Sequence, residues 1–316
     1  MQPPPPPSTL RSLRPDNRVA WLHVAINLGL IAGGVALAAG ERHAVLYLLG
    51  QVALALGFTQ AFVLLHEAGH RTLFRQRRLN DAIGQLAGFL ALIPYATWRP
   101  IHARHHRYTG WQDLDATTAS LVPRPISRWE RNIIDAAWRS WLPLFSVIYR
   151  IQNYWRISRI AAYLGPTTSL SRLRLAAALQ LLSYVLLVAW WGASETLVLL
   201  GPGMLLALMG QDLLLLSQHT GMPCHLSGER AVRPFPPLEQ AQFTRSLRLP
   251  RWASWLLLHF DAHELHHLYP AVPGYLLRRV PYAPPNEVGW LAWLRQVKAM
   301  SGTRFLFGGP RSEGGA

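Results

Sequence analysis

Four stretches of this 316-residue chain stay apolar long enough to cross a bilayer core as helices, at roughly 19–39, 44–65, 174–192 and 196–217. They carry almost no charge, and short polar turns join the first to the second and the third to the fourth. A fifth apolar stretch, Leu86 to Trp98, is shorter and broken by Pro94. Its length suits a re-entrant or interfacial helix rather than a full span. Between 128 and 160, Trp129, Ile133 and Trp141 share a helical face with Arg128, Arg131 and Arg139 interspersed, and Tyr149, Tyr154 and Trp155 follow. That mixture predicts helices lying at the headgroup level or, on the plainer reading, packing helices of a cap.

Arginine placement orients the pattern. The turn between the first two spans holds Arg42 balanced by Glu41, and the turn from Gly192 to Glu195 has no positive charge. Nearly every other cation lies in the N-terminal arm, in the 66–173 connection or after residue 217. The positive-inside rule therefore puts both termini and the long connection in the cytoplasm, with a bacterial inner membrane as the expected location. Half of the residues are hydrophobic and 15% are charged, the formal net charge is +15, and Lys298 is the only lysine. Such a balance fits an anionic membrane surface or acidic protein partners. With no zinc-finger spacing, RNP-type aromatic pattern or detached basic tail, nucleic acid is not an expected partner. The single cysteine, Cys224, excludes an intrachain disulfide framework. Pro3 to Pro7, followed by Arg11 and Arg14, make residues 1–17 read as a disordered or extended arm rather than a secretory signal. Residues 18–307 read as one domain and 308–316 as a flexible tail.

The histidines change the picture most. Eight of the thirteen fall in three boxes: His66-Glu67-Ala68-Gly69-His70, His102-Ala103-Arg104-His105-His106 and His263-Glu264-Leu265-His266-His267. A ninth, His219, follows the fourth apolar stretch in Gln218-His219-Thr220-Gly221. On a helix, positions i and i+4 lie on one face with i+3 beside them. H-x-x-x-H therefore offers two imidazoles, and each H-x-x-H-H up to three. Neutral imidazole suits iron, zinc, copper or nickel. Nine donors exceed what one ion can use, so two ions sharing the set is the natural count. All four groups meet at one membrane face only if Leu86–Trp98 does not cross, which its length independently indicates. One box alone is as easily incidental, and His225 competes with His219. His259 shares a face with His263 and reads as packing or as support for a ligand, while His23 and His43 read as incidental.

At these residues the chain resembles the membrane fatty acid desaturase superfamily, over roughly 44–280. The likeness rests on the three boxes in order, on their separation by a membrane hairpin, and on the flanking Leu79-Asn80-Asp81, Asp113-Leu114-Asp115 and His267-Leu268-Tyr269-Pro270. It implies an all-α integral membrane protein, with four transmembrane helices and a cytoplasmic helical cap holding a histidine-rich, non-haem di-iron site that uses O2. By motif match the iron ligands are His66, His70, His102, His105, His106, His263, His266 and His267, with His219 as the extra ligand. Asp113 and Asp115 are candidates to accept hydrogen bonds from ligand imidazoles, or equally a helix cap and a surface charge. In some acyl-CoA desaturases an asparagine four residues before the extra histidine holds a metal-bound water. Leu215 stands there in this chain, with Gln218 or Asp212 as candidate substitutes. A His-Pro-Gly-Gly haem motif is missing. The resemblance then implies electrons from a separate ferredoxin or soluble b-type cytochrome, acting on a lipid or acyl substrate.

Within the superfamily, hydroxylases and carotenoid ketolases share the boxes, and desaturation of an acyl chain is the preferred reading. A methylene C–H has no acidity for side chains to exploit, so the chemistry belongs to the cofactor. Outside the superfamily, His66-Glu67-Ala68-Gly69-His70 also spells the H-E-x-x-H of zinc proteases. One zinc, however, leaves six or seven ordered histidines unexplained. A metal transporter or sensor would place its ligands near the bilayer midplane, whereas these boxes gather at an edge.

Overall fold

The computed structural model describes residues 10, 12–40, 43–228 and 230–313. In chain order its main helices are α1 (Asn17–Ala39), α2 (Ala44–His70), α3 (Arg77–Leu90), α4 (Tyr95–Tyr108), α5 (Arg128–Arg139), α6 (Leu144–Arg150), α7 (Leu170–Trp191), α8 (Ala193–His219), α9 (His263–Leu268) and α10 (Trp290–Lys298). By packing the chain divides into two units. The first comprises Arg14–Arg99 and Pro166–Gln211; the second comprises Pro100–Gly165, Asp212–Ala316 and the segment ending at Leu13. Most of the expected 1–17 arm, the 41–42 turn and residues 314–316 of the expected tail lie outside the described residues.

Four helices, α1, α2, α7 and α8, are long and apolar enough to cross a membrane. Their bounds follow the hydropathy closely, except that α2 runs on through His70 and so carries box one on its last turns. α1 and α2 approach closely at small residues. A methyl group on Gly50 would meet the Ala38 nitrogen and the Gly34 oxygen at 2.7 Å. Nearby, Asn27 Nδ2 donates to the Gly57 carbonyl at 2.7 Å.

α8 contains Pro202, which has no N–H to offer the Val198 carbonyl. α2 supplies the missing partners. Tyr47 Oη donates to Val198 O at 2.8 Å. Gln51 bridges the next rung: its amide nitrogen donates to Leu199 O at 3.0 Å, and its oxygen accepts the Gly203 N–H at 2.7 Å. In a medium without water a carbonyl that loses its helical donor has to be satisfied by the protein.

The Leu86–Trp98 stretch is not the single short helix expected. It is the end of α3, a turn, and the start of α4, with Leu92 at φ +58° between them. Pro94 explains the break, since it disfavours helix at the residue before it and lacks an N–H of its own. The Ile93 N–H instead closes on the Gly88 carbonyl at 2.8 Å. At 14 residues each, α3 and α4 are too short to span a bilayer.

The second unit is helical with two small additions that correct a strictly all-α expectation. β1 (Cys224–Leu226) pairs in parallel with β4 (Arg311–Glu313), and β2 (Ser246–Arg248) with β3 (Glu287–Gly289). Buried backbone on these loops needs partners, and the adjacent strands supply them. β4 falls in the stretch read as a tail. Leu10 and Leu13, within the stretch read as an arm, pack against the buried cluster of Ala262, Leu265, Leu268, Val272 and Leu277. Tyr154, expected among the interfacial rings, is fully buried and donates to Tyr149 Oη at 3.0 Å. The π-helical turn Ile151–Trp155 takes an extra residue per turn and moves Tyr154 off the outer face. Trp129 remains 74% exposed.

Candidate metal centre

The second unit brings seven of the nine predicted histidines together. α4 runs on into this unit and presents His102 and His106 one turn apart, their Nε2 atoms separated by 3.1 Å. His266 on α9 places its Nε2 3.0 Å from that of His106. His105, His219, His263 and His267 form a second group, all ligand atoms lying within 4.8 Å of one another. In this group Nε2–Nε2 distances are 3.2 Å for His105–His267, 3.0 Å for His267–His263 and 2.9 Å for His263–His219. The His106 and His267 rings stack at 4.4 Å, joining the groups.

Partners at the opposite ring nitrogen define what these contacts are. His105 Nδ1–H donates to Asp115 Oδ2 at 2.7 Å, His219 Nδ1–H to the Phe243 carbonyl at 3.1 Å, and His267 Nδ1–H to Gln240 Oε1 at 2.9 Å. With Nδ1 protonated, Nε2 carries a lone pair. Lone pairs facing one another at such distances repel unless a cation lies between them. Donors roughly 2.1 Å from a shared ion and at right angles to one another stand about 3 Å apart. The residues therefore fit a metal, and an all-imidazole set suits iron among first-row ions.

The supporting groups are themselves held. Asp115 accepts the Thr117 N–H at 2.9 Å and its hydroxyl at 2.8 Å. Burial alone would raise the Asp115 carboxyl, but the adjacent His105 and the Thr117 hydrogen bonds outweigh it and hold it below the ordinary carboxylate range. Burial, reinforced by the surrounding imidazoles, keeps His267 well below the usual histidine range, and hence neutral. Gln240 donates to the His106 and Phe235 carbonyls at 2.7 and 3.0 Å, which fixes its oxygen toward His267.

The other two histidines belong to the first unit. His66 and His70 lie 4.8 Å apart between ring centres on the last turns of α2. His66 Nδ1–H donates to Glu67 Oε1 at 3.0 Å, and Glu67 Oε2 accepts the Thr72 hydroxyl at 3.1 Å. Glu67 thus supports an imidazole instead of standing free to activate water. Trp98, fully buried, packs edge-on against both rings. It fits because Gly69 has no side chain; a Cβ there would stand 2.0 Å from the indole.

Among the other candidates, Asp113 accepts the Ser227 N–H at 3.0 Å and its hydroxyl at 2.5 Å, tying two loops together rather than orienting a histidine. Asp212 accepts the Ser146 N–H at 2.5 Å. Gln218 is buried near the end of α8, and its carbonyl accepts the Arg245 N–H at 2.8 Å. His225 packs on Trp111 outside both groups, and His259 hydrogen-bonds with Ser254 at 2.8 Å. Gln240 and the Phe243 carbonyl had no motif to announce them. They sit on a 3-10 segment, Pro237–Phe243, whose role arises only from packing on α9.

Comparison with known proteins gives the family. Residues 42–285 match the fatty acid desaturase family. A fatty acid desaturase of Bacillus subtilis is 28% identical over 245 residues, which cover 72% of this chain and 66% of that protein, just under two thirds of its length. An sn-1 oleoyl-lipid 12-desaturase of a Picosynechococcus species is 27% identical over 300 residues, 88% of this chain and 80% of that protein. An sn-1 acyl-lipid omega-3 desaturase (ferredoxin) of a Synechocystis species is 31% identical over 142 residues, 44% of this chain and 36% of that protein. The family match takes in all three boxes and His219, and on that extent the chain belongs to the fatty acid desaturases, a family of membrane-bound oxidoreductases.

Proposed function

We propose that the protein desaturates a fatty acyl chain of a lipid in an O2-dependent reaction, with two iron ions held by its nine histidines and electrons delivered by a separate carrier. The observation that carries this reading is the set of converging Nε2 lone pairs, three of the imidazoles being anchored at Nδ1 by Asp115, Gln240 and the Phe243 carbonyl. One ion belongs to His105, His219, His263 and His267. The other belongs, within the second unit, to His102, His106 and His266.

Iron with O2 supplies C–H cleavage that no side chain performs. The chain's own residues set up that chemistry. Asp115, Gln240 and Phe243 fix ring orientation and tautomer, which raises ligand basicity. Burial keeps His267 neutral and available as a donor. The arginines around the long connection support a site at the cytoplasmic face. A ferredoxin is named for the Synechocystis relative, and the arginine-rich segments 124–174 and 245–279 suit an acidic carrier of that kind. Expression in a host of known lipid composition, followed by mass spectrometry, tests the reaction. The expected product chain has lost two hydrogens; a chain that has gained one oxygen would make the protein a hydroxylase or ketolase of the same family.

A further inference from the structure

The second unit encloses a cavity of about 530 Å³, inside the roughly 300–1,000 Å³ range of pockets that bury a small molecule. Its walls are of two kinds. Ile134, Trp138, Leu144, Phe145 and Leu216 make the interior apolar, while Gln152, Arg156, Arg159 and Tyr163 make one side polar. Two more lining residues, Leu142 and Ile148, are 57% and 45% exposed, and their neighbours Trp141 and Val147 are exposed as well. Large apolar side chains left uncovered beside an opening mark a surface that meets lipid or a partner.

Charge decides which. Arg124 is neutralised by Glu130, with which it makes two hydrogen bonds. Asp212 accepts the Ser146 N–H and has Arg150 beside it. Arg156 and Arg159 have no carboxylate partner among the described residues. Arg159 is nonetheless fixed, donating to Asn153 Oδ1 at 2.7 Å, to the Gln152 carbonyl at 3.2 Å and to the Ala116 carbonyl at 3.0 Å, and lying over the Tyr163 ring. Arg156 is held by Gln152 Oε1 at 3.3 Å. Two positioned, uncompensated guanidinium groups beside an apolar interior are complementary to an anionic head joined to an alkyl chain.

We propose that this cavity binds a phospholipid taken laterally from the bilayer, one acyl chain lying among Ile134, Trp138 and Phe145 and the phosphate resting on Arg156 and Arg159. The exposed apolar rim favours a lipid delivered by the membrane over one delivered by a soluble carrier. Binding here is independent of whether the metal centre desaturates. The Arg159 bond to Ala116, next to the Asp115 that anchors His105, connects the cavity wall to the metal centre's support.

The test is photo-crosslinking of the purified full chain with a phosphatidylglycerol carrying a diazirine near one chain end, with labelled peptides identified by mass spectrometry. Label is expected on the 130–148 segment, competed by unlabelled phosphatidylglycerol but not by diacylglycerol or palmitate. Arg156→Gln, at an exposed position, should weaken competition about tenfold, as for loss of hydrogen bonds to a charged group. Ile148→Trp, which narrows the opening, should reduce labelling of the same segment without touching the arginines. Label confined to α1, α2, α7 and α8, or undiminished in both variants, would overturn the proposal. Equal competition by palmitate would overturn the phospholipid assignment.

Discussion

His267 illustrates how an imidazole is prepared to take a metal: the nitrogen left with a lone pair is defined by what holds the other one. Gln240→Leu removes the acceptor of its Nδ1–H while keeping the volume close. Loss of such a partner commonly weakens metal binding by about 10–100-fold. We therefore expect iron to leave the variant at correspondingly lower chelator concentrations, while circular dichroism remains that of the parent. Ligand removal is more severe. His105→Ala and His266→Ala should each abolish turnover with membrane insertion intact, and retained activity in both would refute the ligand assignment. Glu67→Gln keeps an oxygen able to accept from His66 Nδ1 and should lose far less activity than His66→Ala. A water-activating glutamate would lose nearly everything on the same change. That the histidines of each box share a helical face was legible from spacing, because i, i+3 and i+4 positions on a helix lie together. Their anchors were not. Of the two aspartates after box two, Asp115 meets a histidine and Asp113 a serine, a distinction made by the turn between them and invisible in the motif.

At the scale of elements, hydropathy located the four apolar helices because each is set by composition over about twenty residues. It misread Leu86–Trp98, where one proline divides an apolar run between two helices, and it misplaced Tyr154, where a wide turn shifts the helical face. The Gly69–Trp98 contact joins two elements through a missing side chain. Gly69→Ala would force a methyl into the indole, an overpacking that typically costs about 1–3 kcal/mol. We expect a lowered melting temperature and perturbed iron binding, since the same indole packs on His66 and His70. An unchanged melting temperature with full iron content would show that Trp98 moves aside freely.

For the whole molecule, orientation and electron supply are open to direct measurement. Pro123, beyond box two on the long connection, is exposed and suits a labelling probe. In a Cys224→Ser background, Pro123→Cys should react with an impermeant reagent only after the membrane is opened; reaction in intact cells would reverse the topology. Turnover at subsaturating acidic carrier should fall with rising salt, since exposed charges are screened beyond about 8 Å at physiological ionic strength. A rate flat across salt would assign the arginines to lipid headgroups alone. Pro202 inside α8 bears on how such a protein is made. The Val198 and Leu199 carbonyls and the Gly203 amide take side-chain partners from Tyr47 and Gln51, which are synthesised some 150 residues earlier. The last apolar helix therefore leaves the ribosome with an open seam that a partner already in the bilayer must close. Gln51→Leu is therefore expected to show first as degradation of newly made chains and only afterwards as a defect in the mature enzyme.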